Sequence, residues 1–329
     1  MHGLTIIEKQ FIQRLLIFTI LSRFYMRQSG FLLLLLISAL CISCNHFHAK
    51  RGLPFGTVKG THFKEVRRIF NNGLKFDKQG FQLEPSWDLY FLSDDSVLVF
   101  SPKTKKYYGF HVYFDHDSIF NMVDAWFKVK KITADSLIFQ ALRVEKKIIL
   151  DDDEGSKVFL TFYSDRYMKS HSVESIQKMG IPGPKDTLFI KARTKLANNK
   201  IDSAFAAREP VVLKSKSHLL TVEKVNSVST PIQQVDAADN YLAPEYNITI
   251  HKAYEDFNYS FYVYVDDKGK MYFRKSTIPY YPEHRATYER IMRGLINGYL
   301  YHDLDITPGS TLGIAHVSAI LLNVEGKKE

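Results

Sequence analysis

Between residues 74 and 165, apolar positions come in short runs separated by polar breaks. The runs cover 87–92, 97–100, 107–114, 126–132, 136–142, 147–150 and 158–163. Ser93-Asp94-Asp95-Ser96 and Asp151-Asp152-Asp153-Glu154-Gly155 stand among the breaks. Apolar runs of this length, bounded by turn-forming residues, are strand signals, and Asp or Asn with Gly between them is hairpin chemistry. The pattern predicts an antiparallel β meander of about six to eight strands. Such a sheet has to curl or close to protect its edges.

Elsewhere the period changes. Phe63, Val66, Ile69 and Phe70 recur at helical spacing, so residues 61–70 are expected as a short helix stopped by Asn71-Asn72-Gly73. Residues 172–179 and 198–207 are expected as helices, 187–190 and 211–213 as strands, and 230–244 as a loop. Residues 260–265 alternate, Asp266-Asp267-Lys268-Gly269 turns the chain, and 270–273 return. Tyr288, Ile291, Met292, Leu295 and Ile296 share one face of a helix expected over 282–301. Pro308-Gly309 then leads to a last strand over 315–324. The expected fold class is α+β and β-rich. A curled or barrel-like antiparallel meander (61–165) is followed by a mixed connecting region (166–245) and a small C-terminal α+β domain (246–329).

Before residue 60 the pattern is of another kind. Met26-Arg27-Gln28-Ser29-Gly30 is a short basic stretch, and Phe31-Leu32-Leu33-Leu34-Leu35-Leu36-Ile37 opens an apolar run of about 12 to 14 residues. That is short for a bilayer span and suits a cleaved signal. Ser43 directly before Cys44 resembles a bacterial lipobox, which implies lipidation of Cys44 and cleavage before it. Cys41 stands where that motif usually has Leu. An uncleaved signal anchor is the alternative, and a second apolar stretch over 14–21 suggests that translation starts at Met26. Residues 1–44 are thus expected as a signal region and 45–60, with Gly52, Pro54, Gly56 and Gly60, as a tether. Two or more acyl chains hold a protein stably on a membrane. Asn45, rather than Asp, follows the cysteine and favours the outer membrane.

Composition narrows the function classes. Aromatic residues make up 14% of the 329 residues, which agrees with a β-rich body. The net charge is +9; without the four basic and one acidic residues of 1–44 it is +6, from 40 Lys and Arg against 34 Asp and Glu. The basic residues are scattered among acids, with no arginine-rich run, so nucleic acid is not an expected partner. Cys41 and Cys44 are the only cysteines. A chain cleaved at Cys44 has no disulfide framework, zinc–thiolate site or cysteine nucleophile.

The last 65 residues or so resemble the C-terminal domain of TonB-type energy transducers. Phe261-Tyr262-Val263-Tyr264-Val265-Asp266-Asp267-Lys268-Gly269-Lys270 matches that family's strand, turn and strand, and Pro308-Gly309-Ser310-Thr311-Leu312-Gly313 its turn before the last strand. The family's proline-rich linker is missing, and Gly294 and Gly298 interrupt the helix. The resemblance implies a small α+β domain suited to adding strands or to contacting envelope partners. It does not imply energy transduction.

Recognisable chemistry is scarce. His111 and His116, with Asp115 and Asp117, come nearest to a metal cluster, but an odd separation puts strand residues on opposite faces. Asp151-Asp152-Asp153-Glu154 lacks the twelfth-position glutamate of a calcium loop, where Phe162 stands. No P-loop or Gly-x-Ser-x-Gly elbow occurs. The recurring Asp95-Ser96, Asp117-Ser118, Asp135-Ser136, Asp186-Thr187 and Asp202-Ser203 read as turn chemistry; they also resemble O-glycosylation acceptors of exported Bacteroidetes-type proteins. No catalytic, cofactor or metal residue is expected. The expected function is non-enzymatic interaction or scaffolding at the cell envelope, with the membrane and an envelope protein as partners. One alternative is a lipocalin-like cup in which Trp87, Tyr90, Phe110 and Trp126 line a ligand cavity; another is an envelope hydrolase.

Lipidation is directly testable. Mass spectrometry of the mature N-terminus should find acylated Cys44 followed by Asn45, and Cys44→Ser should block processing or release the protein. Cys41→Ser should do neither. Finding residues 26–40 in the mature protein would rule out the lipoprotein reading.

Overall fold

The computed structural model describes residues 54–146, 148–150, 158–226 and 235–328. Residues 62–70, expected as a helix, form strand β1 (His62–Phe70). Its register slips between Glu65 and Arg67 where it pairs with the last strand of the meander. A β-bulge adds one residue to the two-residue alternation. Phe63, Glu65 and Val66 are consequently all buried, and the apolar spacing of three imitates a helix.

The meander continues through β2 (Asp88–Ser93), β3 (Ser96–Ser101), β4 (Lys106–His111), β5 (Tyr113–Phe114), β6 (Ile119–Met122), β7 (Ala125–Ile132), β8 (Ser136–Glu145), β9 (Ile148–Leu150) and β10 (Val158–Ser164). All pairings are antiparallel in the order β4-β3-β2-β1-β10-β8-β7-β6-β5, with β9 beside β8. The edge strands β4 and β5 are separated only by buried Val112. One bent segment therefore pairs with β3 before Val112 and with β6 after it. The sheet is nearly closed, which leaves little free edge.

Its inside is filled with rings. Phe63, Phe91, Phe120, Phe127, Phe139 and Phe162 are buried together, with Phe55 among them. Phe55 comes from a 3₁₀ turn, Pro54–Val58, inside the segment expected as a tether. It stacks on Phe91 at 4.5 Å between centroids and meets Phe120 edge-on at 5.2 Å. The Gly56 N–H donates to Asp94 Oδ1 at 2.6 Å, and the Gly60 N–H to Phe91 O at 2.9 Å. These bonds tie the turn to β2 and to the β2–β3 hairpin.

Three helices follow: α1 (Asp165–Lys169), α2 (Val173–Gly180) and α3 (Pro184–Asn199). Ser164 and Ser172 cap the first two through their hydroxyls. The strand expected at 187–190 and the helix expected at 198–207 are both overturned by α3. Pro184 occupies its first turn, and the Asp186 carboxylate accepts the Gly183 N–H at 2.9 Å. Gly183-Pro184 therefore starts a helix, and residues 201–203 form only a 3₁₀ turn.

The rest comprises β11 (Val212–Ser215), β12 (Leu220–Val225), α4 (Val235–Leu242), β13 (Glu245–His251), β14 (Phe257–Val265), β15 (Met271–Ser276), α5 (Pro282–Leu295), α6 (Tyr301–Asp303), β16 (Leu304–Thr307), β17 (Ser310–Thr311), β18 (Ile314–Ala315) and β19 (Ser318–Lys327). Helix α4 replaces part of the loop expected over 230–244. Five strands form one sheet in the order β12-β13-β19-β14-β15, parallel only between β13 and β19. The 266–269 turn needs Gly269, whose φ is +81° and where a Cβ would lie 2.7 Å from Ile306 O. Helix α5 runs into a π-helical turn, Ile296–Leu300, and Met292, Leu295, Ile296 and Leu300 pack on the sheet.

Gly52–Glu329 form one compact unit. A small cluster joins the C-terminal sheet to the preceding segments: Phe76, Ile190, Ala197, Phe205, Tyr264 and Val317. Gly80 (φ +94°) belongs to the same contact, because a Cβ there would meet Ala206 O at 2.2 Å. Among the described residues no helix is long and apolar enough to cross a membrane.

Phe55→Ala should cost about 3–5 kcal/mol, the usual loss for deleting a buried ring. Lys59→Ala, at an exposed position just after the Pro54–Val58 turn, should change stability by less than about 0.5 kcal/mol. Chemical denaturation of the two variants checks both values.

Candidate functional site

A polar cluster of the meander lies where β1, β2 and α1 meet. His62 opens β1 and pairs in register with Tyr90 of β2, while Asp88 pairs with Lys64. Asp165 follows Ser164, the β10 residue paired with Phe63. Sheet pairing thus brings Asp88 and Asp165 to the two sides of one imidazole. His62 Nε2 lies 2.6 Å from Asp88 Oδ1 and Nδ1 lies 2.8 Å from Asp165 Oδ1. The Tyr107 hydroxyl donates to Asp88 Oδ1 at 2.8 Å and stands 3.3 Å from His62 Nε2.

This arrangement selects a protonation state. A neutral imidazole has one N–H and would turn a bare nitrogen towards one carboxylate, whereas the imidazolium donates to both. Burial pulls the His62 pKa down, but hydrogen bonds and charge from Asp88 and Asp165 outweigh it, and the net shift is upward from 6.5. Burial, then the Asp88 hydrogen bond and the negative charges of Asp88 and Asp165, push the Tyr107 phenol up to about 12. The site therefore favours the His62 imidazolium, clamped between two carboxylates. His62 holds three elements together and has no free nitrogen to take a proton from a substrate.

Beside the cluster runs a groove of about 600 Å³. Val66, Pro85, Met168, Val173 and Ile176 give it apolar walls; His62, Lys64, Asp88 and Asp165 form its charged part. Glu65 also lines it, and its side chain is fully buried. Arg68 holds Glu65 through two bonds of 2.8 and 2.6 Å, and the Ser86 and Trp87 N–H groups donate to Oε2 at 2.8 and 3.1 Å. A buried carboxylate needs such compensation.

The residues singled out in the sequence fare differently. Cys44 and the Asp151–Glu154 run lie outside the described residues. His111 packs edge-on against Tyr113 with centroids 4.3 Å apart, and His116 pairs with Asp115. Among the described residues no group of three His, Cys, Asp or Glu side chains could hold a metal. Trp87, Tyr90, Phe110 and Trp126, expected to line a cavity, are only half-buried, while phenylalanines fill the interior. Asp95 and Asp135 do turn work: Asp95 accepts the Ser93 hydroxyl, and Asp135 accepts from Ser164 and Arg166. Asp186 caps a helix instead.

A second histidine is the opposite of the first. His316 is fully buried, stacked on Phe205 at 3.8 Å. Its Nδ1–H donates to Val317 O at 3.0 Å and its Nε2 accepts from Thr311 at 3.0 Å, which fixes the neutral form. Burial lowers its pKa to about 4.

The two histidines give stability opposite pH dependences. The raised pKa of His62 adds stability that is complete below pH 6.5 and is lost as pH rises through the folded-state value. The depressed pKa of His316 adds stability that is present above pH 6.5 and is lost as pH falls towards about 4. Imidazole NMR should show His62 titrating above 6.5 and His316 near 4, and His62→Gln should abolish the loss on the alkaline side. No family model and no curated protein sequence matches the chain.

Proposed function

We propose that the protein is a lipid-anchored cell-envelope protein that works by recognition, with the groove between α1, α2 and the β1–β2 edge as its contact site for a protein partner. The observation that carries this reading is the composition of the groove. Exposed Val173 continues an apolar wall made by Val66, Pro85, Met168 and Ile176, and the adjacent histidine is occupied on both nitrogens. Such a surface suits an extended segment with apolar side chains better than a proton-transfer step. The ring-filled interior gives no support to a lipocalin-like cup.

The anchor adds a geometric constraint. Nine residues lie between Cys44 and Pro54, the first described residue of the body, and the ten Cα-to-Cα steps span at most about 36 Å when extended. A lipid on Cys44 would hold the body close to the membrane surface. The C-terminal sheet offers further contact area. Its edge strand β15 carries Arg274 and Lys275 stacked over Tyr264 and Tyr262, which keeps the edge charged and discourages indiscriminate pairing. Specific strand addition there is what the TonB-type resemblance implies.

A photo-crosslinking residue at Gln177, on the groove wall, should trap a discrete envelope protein in living cells. The same probe at exposed Lys131, on β7, should not. Equal background from both positions would count against the groove as the contact site.

A further inference from the structure

Helix α2 has a second groove on its other side, and that groove is basic. It measures about 550 Å³ and is lined by Arg67, Lys75, Lys178 and Lys185, together with Thr161, Tyr163 and the first turn of α3. The geometry points to a binding site for a phosphate group carried on a larger molecule, with Lys75 at its floor and Arg67 and Lys185 at its rim. This inference does not depend on the peptide groove.

Lys75 carries the argument. The residue is only 4% exposed, yet among the described residues its amine makes a single long hydrogen bond, to Arg68 O at 3.5 Å. A lysine ammonium has three donors, and a buried one is costly unless it is paired. Burial already pulls its pKa down, and the charges of Asp186 and Glu65 offset this only in part. A bound phosphate would supply the missing acceptors at that place.

The surroundings fit the same ligand. Arg67 and Lys185 reach no carboxylate within salt-bridge distance among the described residues, whereas Lys178 is paired with Glu174 at 2.6 Å. The one carboxylate lining the groove, Asp186, is spent on backbone: Oδ1 accepts from Lys75 N at 2.7 Å and Oδ2 from Gly183 N at 2.9 Å. Three cations therefore face a single, already hydrogen-bonded anion. A groove this large exceeds what one inorganic phosphate fills, so the phosphate belongs to a bigger molecule, either a soluble phosphate ester or a phospholipid headgroup.

The test uses the full chain purified in zwitterionic detergent. It is titrated by calorimetry with inorganic pyrophosphate, and separately with mixed micelles containing phosphatidylglycerol. Saturable binding with a Kd of about 1 mM or tighter is expected in at least one arm. Lys75→Met should weaken it about tenfold or more, the scale of a lost charge-assisted hydrogen bond. Arg67→Gln and Lys185→Gln, both at exposed positions, should each weaken it severalfold and leave thermal unfolding unchanged; they keep the test valid if Lys75→Met fails to fold. Tighter binding to the micelles assigns a lipid headgroup, and tighter binding to pyrophosphate assigns a soluble phosphate. No saturable binding in either arm, or binding that all the folded variants retain, overturns the proposal.

Discussion

A carboxylate with no exposed side-chain surface has to be fully hydrogen-bonded, and Glu65 is satisfied only because two separate parts of the chain come to it. Arg68 reaches it along the same strand, and the backbone of Ser86 and Trp87 reaches it from the segment entering β2. The β1–β2 ladder itself is short, covering His62 to Lys64, so these bonds extend the hold of β1 on β2. Breaking them would leave a buried charge unpaired, a loss on the order of 3–5 kcal/mol. The bulge that places Glu65 inward also sends Arg67 outward. One irregularity in β1 thus supplies the floor of one groove and part of the rim of the next.

Helix α2 divides these two sites. Val173, Ile176 and Gln177 face the apolar groove, while Lys178 and Met179 face the basic one. No side chain of α2 is fully buried, so few contacts oppose its displacement. The same short helix thus forms a wall of both grooves, and a displacement of it would reshape both.

The hairpins of both sheets were legible because turn chemistry is local. Asp94-Asp95, Gly269 and the Asp-Ser pairs announce their turns within a few residues. The connecting region was not, because its signals are ambiguous over short spans: Thr187-Leu188-Phe189-Ile190 is as apolar and β-branched as a strand, and only the Pro184 and Asp186 cap decides for α3. The His62 cluster left no trace in sequence. Its members are separated by 26, 45 and 103 positions, and only closure of the sheet brings them together. Reading β1 as a helix would have misplaced His62 in any case, since its neighbours on a helix are not those across a strand. Phe55 was hidden in a stretch whose glycines and proline resemble a flexible linker.

Strand β19 has one more consequence. It is the last strand of its sheet in sequence, yet it lies in the middle, with β13 on one side and β14 on the other. Those two strands cannot join until residues 318–327 are in place between them. A chain threaded through a translocation pore N-terminus first would deliver β13, β14 and β15 well before their shared partner, leaving the inner faces of Ile248, Phe261 and Val263 without cover. Pairings so distant in sequence also form slowly. In any N-terminus-first emergence the sheet stays open until this last strand arrives, an interval in which a holdase chaperone could bind its uncovered faces.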